Sequence, residues 1–355
     1  MSAFSPSLRW ATLTAVANEI KSPNVFLNRL CYSNRQTVPT EDIELGRFDK
    51  GREIAPFVKK NGEAVMVTGH TETFQTVSGP NIRIKKPFAP SELLFNRRPG
   101  TVVYAKANDV VSAAEAHIAR DMGVMADYIA NAEEYLAALS IRGQILYTAT
   151  DAEVYQITFP RPAGHNITLS VFWNDADLNL PKPLKDIHTV KRLISDEVGM
   201  QVTDGICGTE ASDALRILVE AGKITVLGMN GTNVDAGTMT FVSQFRDDGV
   251  IYLGTLAGVR FWEYGRSALL NGVATTMIRA KYVEFIATGA AADRVMYFAA
   301  IPDMKAFKGR LFQSERFAKS WEEEDPSRMM ALIHSRPLPV PRRPGATVSM
   351  KVVSG

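Results

Sequence analysis

Cysteine is almost missing from this chain: there are two in 355 residues, Cys31 and Cys207. Their number excludes a disulfide framework and fits a reducing compartment. Histidine is also scarce. His70, His117, His165, His188 and His334 show no HExxH or other close ligand spacing, so no metal is expected. No apolar run approaches the roughly 20 residues that cross a bilayer, and no basic start followed by an apolar stretch marks a signal peptide. A soluble intracellular product without a membrane partner is expected. Net charge is nearly absent too: 40 Lys and Arg against 38 Asp and Glu leave +2. A dedicated nucleic-acid binder concentrates basic residues on one face, and this balance does not suggest one.

What the chain does have is length and apolar content. With 355 residues and 46% hydrophobic side chains, it can bury a large core and divide into domains. The clearest element lies at 108–140. Asn108 or Asp109 can cap its start. Val111, Ala114, Ile118, Met122, Met125, Ile129, Ala132, Leu136 and Leu139 then recur in steps of three and four, which draws one stripe along a long helix. Two shorter amphipathic helices follow, one ending near Gly199 and one near Gly222. Strand patterns surround them: ILYTATDAEVYQITFPRP, NITLSVFW, KITVLGM, TMTFVSQF, GVIYLGTLAGVRFWEYG, KYVEFIA and RVMYFAAI. Their mixed order favours an α+β class over a regular βαβ alternation.

Residues 1–57 are too poor in apolar side chains to make a core alone and are expected to lie as an arm against later segments or another subunit. Residues 58–90 suggest a β-hairpin. Val65/Val67 and Ile82/Ile84 fall at period two, and Ser78-Gly79-Pro80-Asn81 marks the turn. A lone hairpin is marginal in water and needs a partner surface.

Catalytic chemistry is thin. Cys207 precedes a predicted helix, where the dipole favours a thiolate, but no nucleophile elbow accompanies it and a small buried side chain is the better reading. Glu133-Glu134 and Glu322-Glu323-Glu324 are adjacent acids of the kind found on solvated faces. GMNGTNVDAG lacks the lysine of a phosphate loop. PLPVPRRP has a PxxP spacing, and its position before an alternating strand favours a structural role. No cofactor is expected, and an enzyme is not the expected class.

The order of parts resembles that of the lambda-type (E-type) major capsid proteins of tailed bacteriophages, which have the Hong Kong 97 capsid fold. TLTAVANEI, PNVFLNRLCY, TVPTEDIEL and REIAPFV resemble the family's N-terminal arm. IRIKKPFAPSELLFNRRPG resembles the return strand of its extended loop and the junction to the spine helix. VFWNDADLNLPKPLKDIHTVKRLI is similar to the passage into the axial domain, and SERFAKSWEEEDPSRMMALIHSRPLPVPRRPGATVSMKV to the family's ending. The resemblance implies an arm at 1–57, an extended hairpin loop at 58–90, a peripheral domain at 91–185, an axial domain at 186–316, and a return to the peripheral domain at 317–355. The return is expected as two strands, with Asp325-Pro326 at the first turn and Pro341 to Pro344 between the strands.

The function so implied is a virion shell protein, assembled in the host cytoplasm into hexamers and pentamers that enclose double-stranded DNA and mature by expansion. The implied partners are further copies of the chain, a separate scaffolding protein, a portal, a decoration protein and non-specifically held DNA. Opposite charges on arm and loop, Glu41, Asp42 and Glu44 against Arg83, Lys85 and Lys86, are candidates for pairing between subunits. The alternatives are a cellular nanocompartment shell of the same fold and a soluble enzyme using Cys207.

Overall fold

The computed structural model describes residues 13–14, 17–18, 25–48, 72–89, 107–148, 154–226, 238–245, 250–270, 272–288, 294–303 and 311–355. Val65 and Val67, the side chains of Val111 and Ala114, and the glycine-rich 228–237 lie outside them. From the N-terminus come α1 (Phe26–Cys31), β1 (Asn34–Thr37), β2 (Asp42–Phe48), β3 (Glu72–Ser78), β4 (Ile82–Phe88) and α2 (Ala107–Ile141). Next are β5 (Gln144–Thr148), β6 (Val154–Thr158), β7 (Asn166–Thr168), α3 (Pro183–Val198), β8 (Asp204–Cys207) and α4 (Thr209–Glu220). The strands β9 (Thr225–Val226), β10 (Thr238–Phe245), β11 (Val250–Leu256), β12 (Val259–Tyr264), β13 (Ser267–Leu270) and β14 (Val273–Thr276) follow. The chain continues with β15 (Tyr282–Ile286), β16 (Arg294–Phe298), β17 (Ile301–Pro302), β18 (Leu311–Phe312) and β19 (Phe317–Glu323). It closes with β20 (Arg328–Ser335), β21 (Pro337–Pro341) and β22 (Thr347–Lys351).

Helix α2 has 35 residues, about 52 Å at 1.5 Å per residue, and extends one residue beyond the sequence-derived span at each end. Ile118, Met122, Met125, Ile129, Leu136 and Leu139 are buried, and so are Ala126, Ala130, Ala137 and Ala138. The small alanines widen the stripe, so different layers meet it along its length. The sheet β19-β20-β4 packs on the first half through Phe88, Ala318, Met329, Ala331 and Ile333. The second half meets α1, the parallel-antiparallel sheet β1-β16-β21 and the ribbon β2-β3.

Among the described residues, Ser78-Gly79-Pro80-Asn81 does not close a hairpin. The strands on either side of Ser78-Gly79-Pro80-Asn81 do not pair with each other. β3 pairs antiparallel with β2 of the expected arm, and β4 pairs with β20. Val77 and Ile43 are buried beside Leu136 and Leu338, whereas Phe88 is buried against Ile118 and Met122. The turn therefore passes the chain between two layers.

The eight-stranded sheet, in the order β7-β22-β15-β8-β12-β11-β10-β9, forms a second core with α3 and α4. Ile187, Val190, Ile194, Leu215 and Leu218 cover Phe261, Phe285, Val348 and Met350. Gly199 (φ 76°) ends α3 in the left-handed region, the glycine stop expected from sequence. Of NITLSVFW, only Asn166–Thr168 is strand. Trp173 lies beyond it, fully buried, and its Nε1 donates to Asp186 at 3.0 Å.

The chain's ending differs from the expected return. Asp325-Pro326 does turn β19 into β20, and β20 does pack near α2. The last strand leaves that layer. β22 inserts between β15 and β7, antiparallel to the first and parallel to the second, so residues 347–351 complete the eight-stranded sheet. Its alternating apolar residues Val348 and Met350 are buried in that core. The proline-rich strand β21 is an edge of its sheet. Pro337, Pro339 and Pro341 oppose Phe298, Met296 and Arg294, while Arg336 O accepts from Ala299 N. The prolines thus occupy the outward register, where a missing N–H costs no ladder bond and denies a wrong strand its donor. Ser140 Oγ on α2 covers that edge by donating to Pro339 O at 2.9 Å.

Candidate functional site: assembly surfaces

The stretch expected as an arm is built into its own chain where it is described. Leu13 and Ala17 sit in the core beside Ile118 and Met122, and Thr14 Oγ1 donates to Ala318 O at 3.0 Å. Arg35 on β1 bridges Glu133 at 3.1 Å and Glu315 at 2.8 Å. Glu133 and Glu134 are not on a solvated face as their adjacency suggested: both are fully buried. Glu134 accepts from the amides of Leu27 at 2.6 Å and Asn28 at 3.0 Å and from Tyr264 Oη at 3.1 Å. A carboxylate at the first turn of α1 satisfies amides that have no intrahelical acceptor. The helical phase carries this signal, since 133 and 134 lie three or four residues from Ile129, Ala130 and Ala137 on the buried stripe.

Burial pushes the Glu134 carboxyl up from 4.5 to about 7, against the lowering effect of the Leu27 and Asn28 amides, Tyr264 and Arg266. The folded chain therefore holds this proton more tightly than the unfolded chain. The stabilising contribution is fully present below pH 4.5 and is lost as pH rises through about 7. The shift corresponds to about 3 kcal/mol. Denaturant titrations across this range should show wild type losing about that much stability relative to Glu134→Gln, which keeps an acceptor oxygen and cannot titrate. A pH-independent difference between the two proteins would refute the assignment.

Of the six candidate charges, two already have partners within the chain. Lys86 Nζ lies 2.7 Å from Asp121 on α2, and Glu41 lies 3.6 Å from Arg336. Asp42 and Glu44 on β2 and Arg83 and Lys85 on β4 are exposed. Arg83 faces His334 across β4 and β20. Burial and the nearby charges of Arg83, Arg336 and Lys319 hold His334 down at about 3, so it is a neutral neighbour at pH 7.

Large apolar side chains are exposed on α2, on one ribbon and on one hairpin. Val124 and Tyr128 are one turn apart on α2. Leu146, Val154 and Tyr155 lie on the ribbon β5-β6. Leu269 (78% exposed) and Val273 (66% exposed) lie on the hairpin β13-β14. Exposed large apolar side chains of this kind can serve an association surface.

Cys207 is fully buried in the second core, and burial, reinforced by Glu263, pushes its thiol up, the reverse of an activated nucleophile. Among the described residues no group of His, Cys, Asp or Glu is arranged to hold a metal, and no helix is long and apolar enough to cross a membrane.

Residues 9–352 match the family model of the phage major capsid protein E. No curated protein sequence gives a significant match. Among solved structures, the fold is similar to the putative capsid protein of a prophage of Escherichia coli CFT073, at 18% identity and TM-score 0.70, with 98% of this chain and 99% of that chain covered. It is also similar to a phage-related protein of Bordetella bronchiseptica, at 12% identity and TM-score 0.54, with 96% of each covered. A Synechococcus elongatus encapsulin shares the fold at 12% identity and TM-score 0.50, with 95% of this chain and 89% of that chain covered. With the sequence match spanning nearly the whole chain and the fold of a Hong Kong 97-like capsid protein, the chain belongs to the phage major capsid protein E family and is a bacteriophage capsid protein.

Proposed function

We propose that the chain self-associates into hexamers and pentamers of an icosahedral head that encloses double-stranded DNA and expands on maturation. The observation that carries this reading is the family match over 9–352. The exposed apolar hairpin β13-β14 and ribbon β5-β6 supply surfaces for neighbouring copies. Helix α2 is a rod long enough to carry a domain rotation as one body. In this reading the layers around α2, which take in the described parts of 1–57 and 58–90 with β16 and β19 to β21, serve as peripheral domain, and the eight-stranded sheet with α3 and α4, which adds β7 and β22 to 186–316, serves as axial domain. Asp42 and Glu44 pair with Arg83 and Lys85 of adjacent copies; each exposed pair contributes about 0–1 kcal/mol, and repetition fixes register. Assembly takes place in the host cytoplasm with a separate scaffolding protein, a portal and a decoration protein, and the product is the virion.

Electron microscopy of the expressed chain with its scaffolding protein should show closed shells. Monodisperse monomers under every assembly condition would overturn the reading. Shells that enclose a protein cargo in place of DNA would favour a nanocompartment instead. Leu269→Asp with Val273→Asp should prevent shell formation while leaving monomer stability within about 0.5 kcal/mol, as expected for exposed sites. Normal shells from that double variant would remove β13-β14 from the interface.

A further inference from the structure

A 510 Å³ cavity opens where the end of α2 meets the edge of the eight-stranded sheet. Three arginines from separate parts of the chain line it: Arg142 just after α2, Arg161 after β6 and Arg279 before β15. They are held by the surrounding chain and partly by one another: Arg161 Nη2 donates to Arg142 O, and Arg142 Nη2 to Met277 O. Arg161 Nη1 donates to Ser349 Oγ at 3.0 Å and Nη2 to Asn166 Oδ1 at 3.0 Å. Arg142 Nη2 donates to Thr276 O at 3.3 Å. Arg279 bonds the buried carboxylate of Glu284 at 2.7 Å and lies over the Tyr282 ring at 3.6 Å.

The charge here is not balanced. Burial holds the guanidiniums of Arg142 and Arg161 below their ordinary range; Glu284 opposes this, and Arg279 adds to it through repulsion. Glu284 offsets one of the three positive charges, which leaves two. Arg142 Nε and Arg279 Nε are also buried with no hydrogen-bond partner, and unsatisfied buried donors are costly. The approach of Arg161 is a built feature. Gly143 (φ 86°) ends α2, and a Cβ there would lie 2.5 Å from Arg161 Nε. The positive φ favours glycine at this turn, and the missing side chain leaves room for Arg161 in its present position.

We propose that this cavity binds a small, multiply charged phosphate anion, with pyrophosphate as the probe. The volume lies within the roughly 300–1,000 Å³ of small-ligand sites. Two uncompensated charges favour a multiply charged anion. Guanidinium forks arriving from three elements suit tetrahedral phosphate oxygens better than the two coplanar oxygens of a carboxylate. Tyr135 and Tyr282 also line the cavity. The site lies within one chain, so its failure would leave the shell reading standing.

Calorimetric titration of the full-length chain with sodium pyrophosphate should show one saturable site, with a rise in melting temperature that sodium chloride at equal ionic strength does not reproduce. Arg142→Gln should weaken binding about tenfold or more, as loss of a charged donor does. Gly143→Ala keeps all three arginines and should also weaken binding by displacing Arg161. Circular dichroism confirms that each variant is folded. Absence of saturable heat with folded wild type overturns the site, as does an unchanged affinity in folded Arg142→Gln. Binding of a short DNA duplex without binding of pyrophosphate also overturns it, because that result describes an open backbone contact.

Discussion

Deletion of residues 346–355 leaves a chain that does not fold to a soluble subunit. β22 is an interior strand, paired on both sides, so its removal exposes β15 along one edge and strips β7 of its partner. Val348, Met350, Val352 and Val353 are buried, and each contributes about 1.5–3 kcal/mol. Their combined loss rivals the whole stability of a typical domain, about 5–15 kcal/mol. The same ten residues tie down their surroundings. Trp173 N donates to Val352 O at 2.8 Å, His165 Nδ1 bonds Thr347 O at 2.9 Å, and Ser349 Oγ donates to the buried Glu284. Expression should yield inclusion bodies, whereas removal of the exposed Ser354 and Gly355 alone should leave solubility and melting near wild type. A soluble, cooperatively melting chain lacking 346–355 would refute the placement of β22.

Asp204→Ala should cost about 3 kcal/mol, read as a lower denaturant midpoint at unchanged slope. Asp204 is fully buried at the start of β8. Its Oδ1 accepts from Trp262 Nε1 at 2.9 Å. Its Oδ2 accepts from Arg260 at 2.8 Å, Thr203 Oγ1 at 2.8 Å and Thr288 Oγ1 at 3.1 Å. Truncation leaves the Trp262 indole N–H without its acceptor inside the sheet, where such a group costs about 1–3 kcal/mol before relaxation, and takes one acceptor from the half-buried hydroxyls of Thr203 and Thr288, which can still bond each other. Arg260→Ala should cost less, about 1 kcal/mol, because its side chain is 48% exposed and water replaces the lost partner. Equal losses in the two variants would mean that the ion pair, and not the buried acceptor, sets the stability.

Local periodicity carried much of the fold. The stripe from Ile118 to Leu139 announced α2, the glycines at 199 and 222 announced the ends of α3 and α4, and TMTFVSQF marked β10 residue for residue. These signals need only neighbours within a few turns of chain. The turn at Ser78–Asn81 was equally legible, but its two strands join different layers, because a turn motif specifies a change of direction and not the identity of a partner. Of the proposed assembly charges, Lys86 and Glu41 are engaged within the chain by Asp121 and Arg336, distant in sequence and invisible to spacing.

The sequence by itself determined the three longer helices, most of the strands and the order of parts that marks the family, since each depends on side chains a few residues apart. Tertiary structure alone decided three matters. It buried Glu133 and Glu134 against the arm, it carried the last strand into the eight-stranded sheet, and it gathered Arg142, Arg161 and Arg279 around one cavity. Burial, strand partnership and the meeting of like charges are set by which distant surfaces come together, and that choice minimises exposed apolar area and unpaired backbone groups over the whole chain at once.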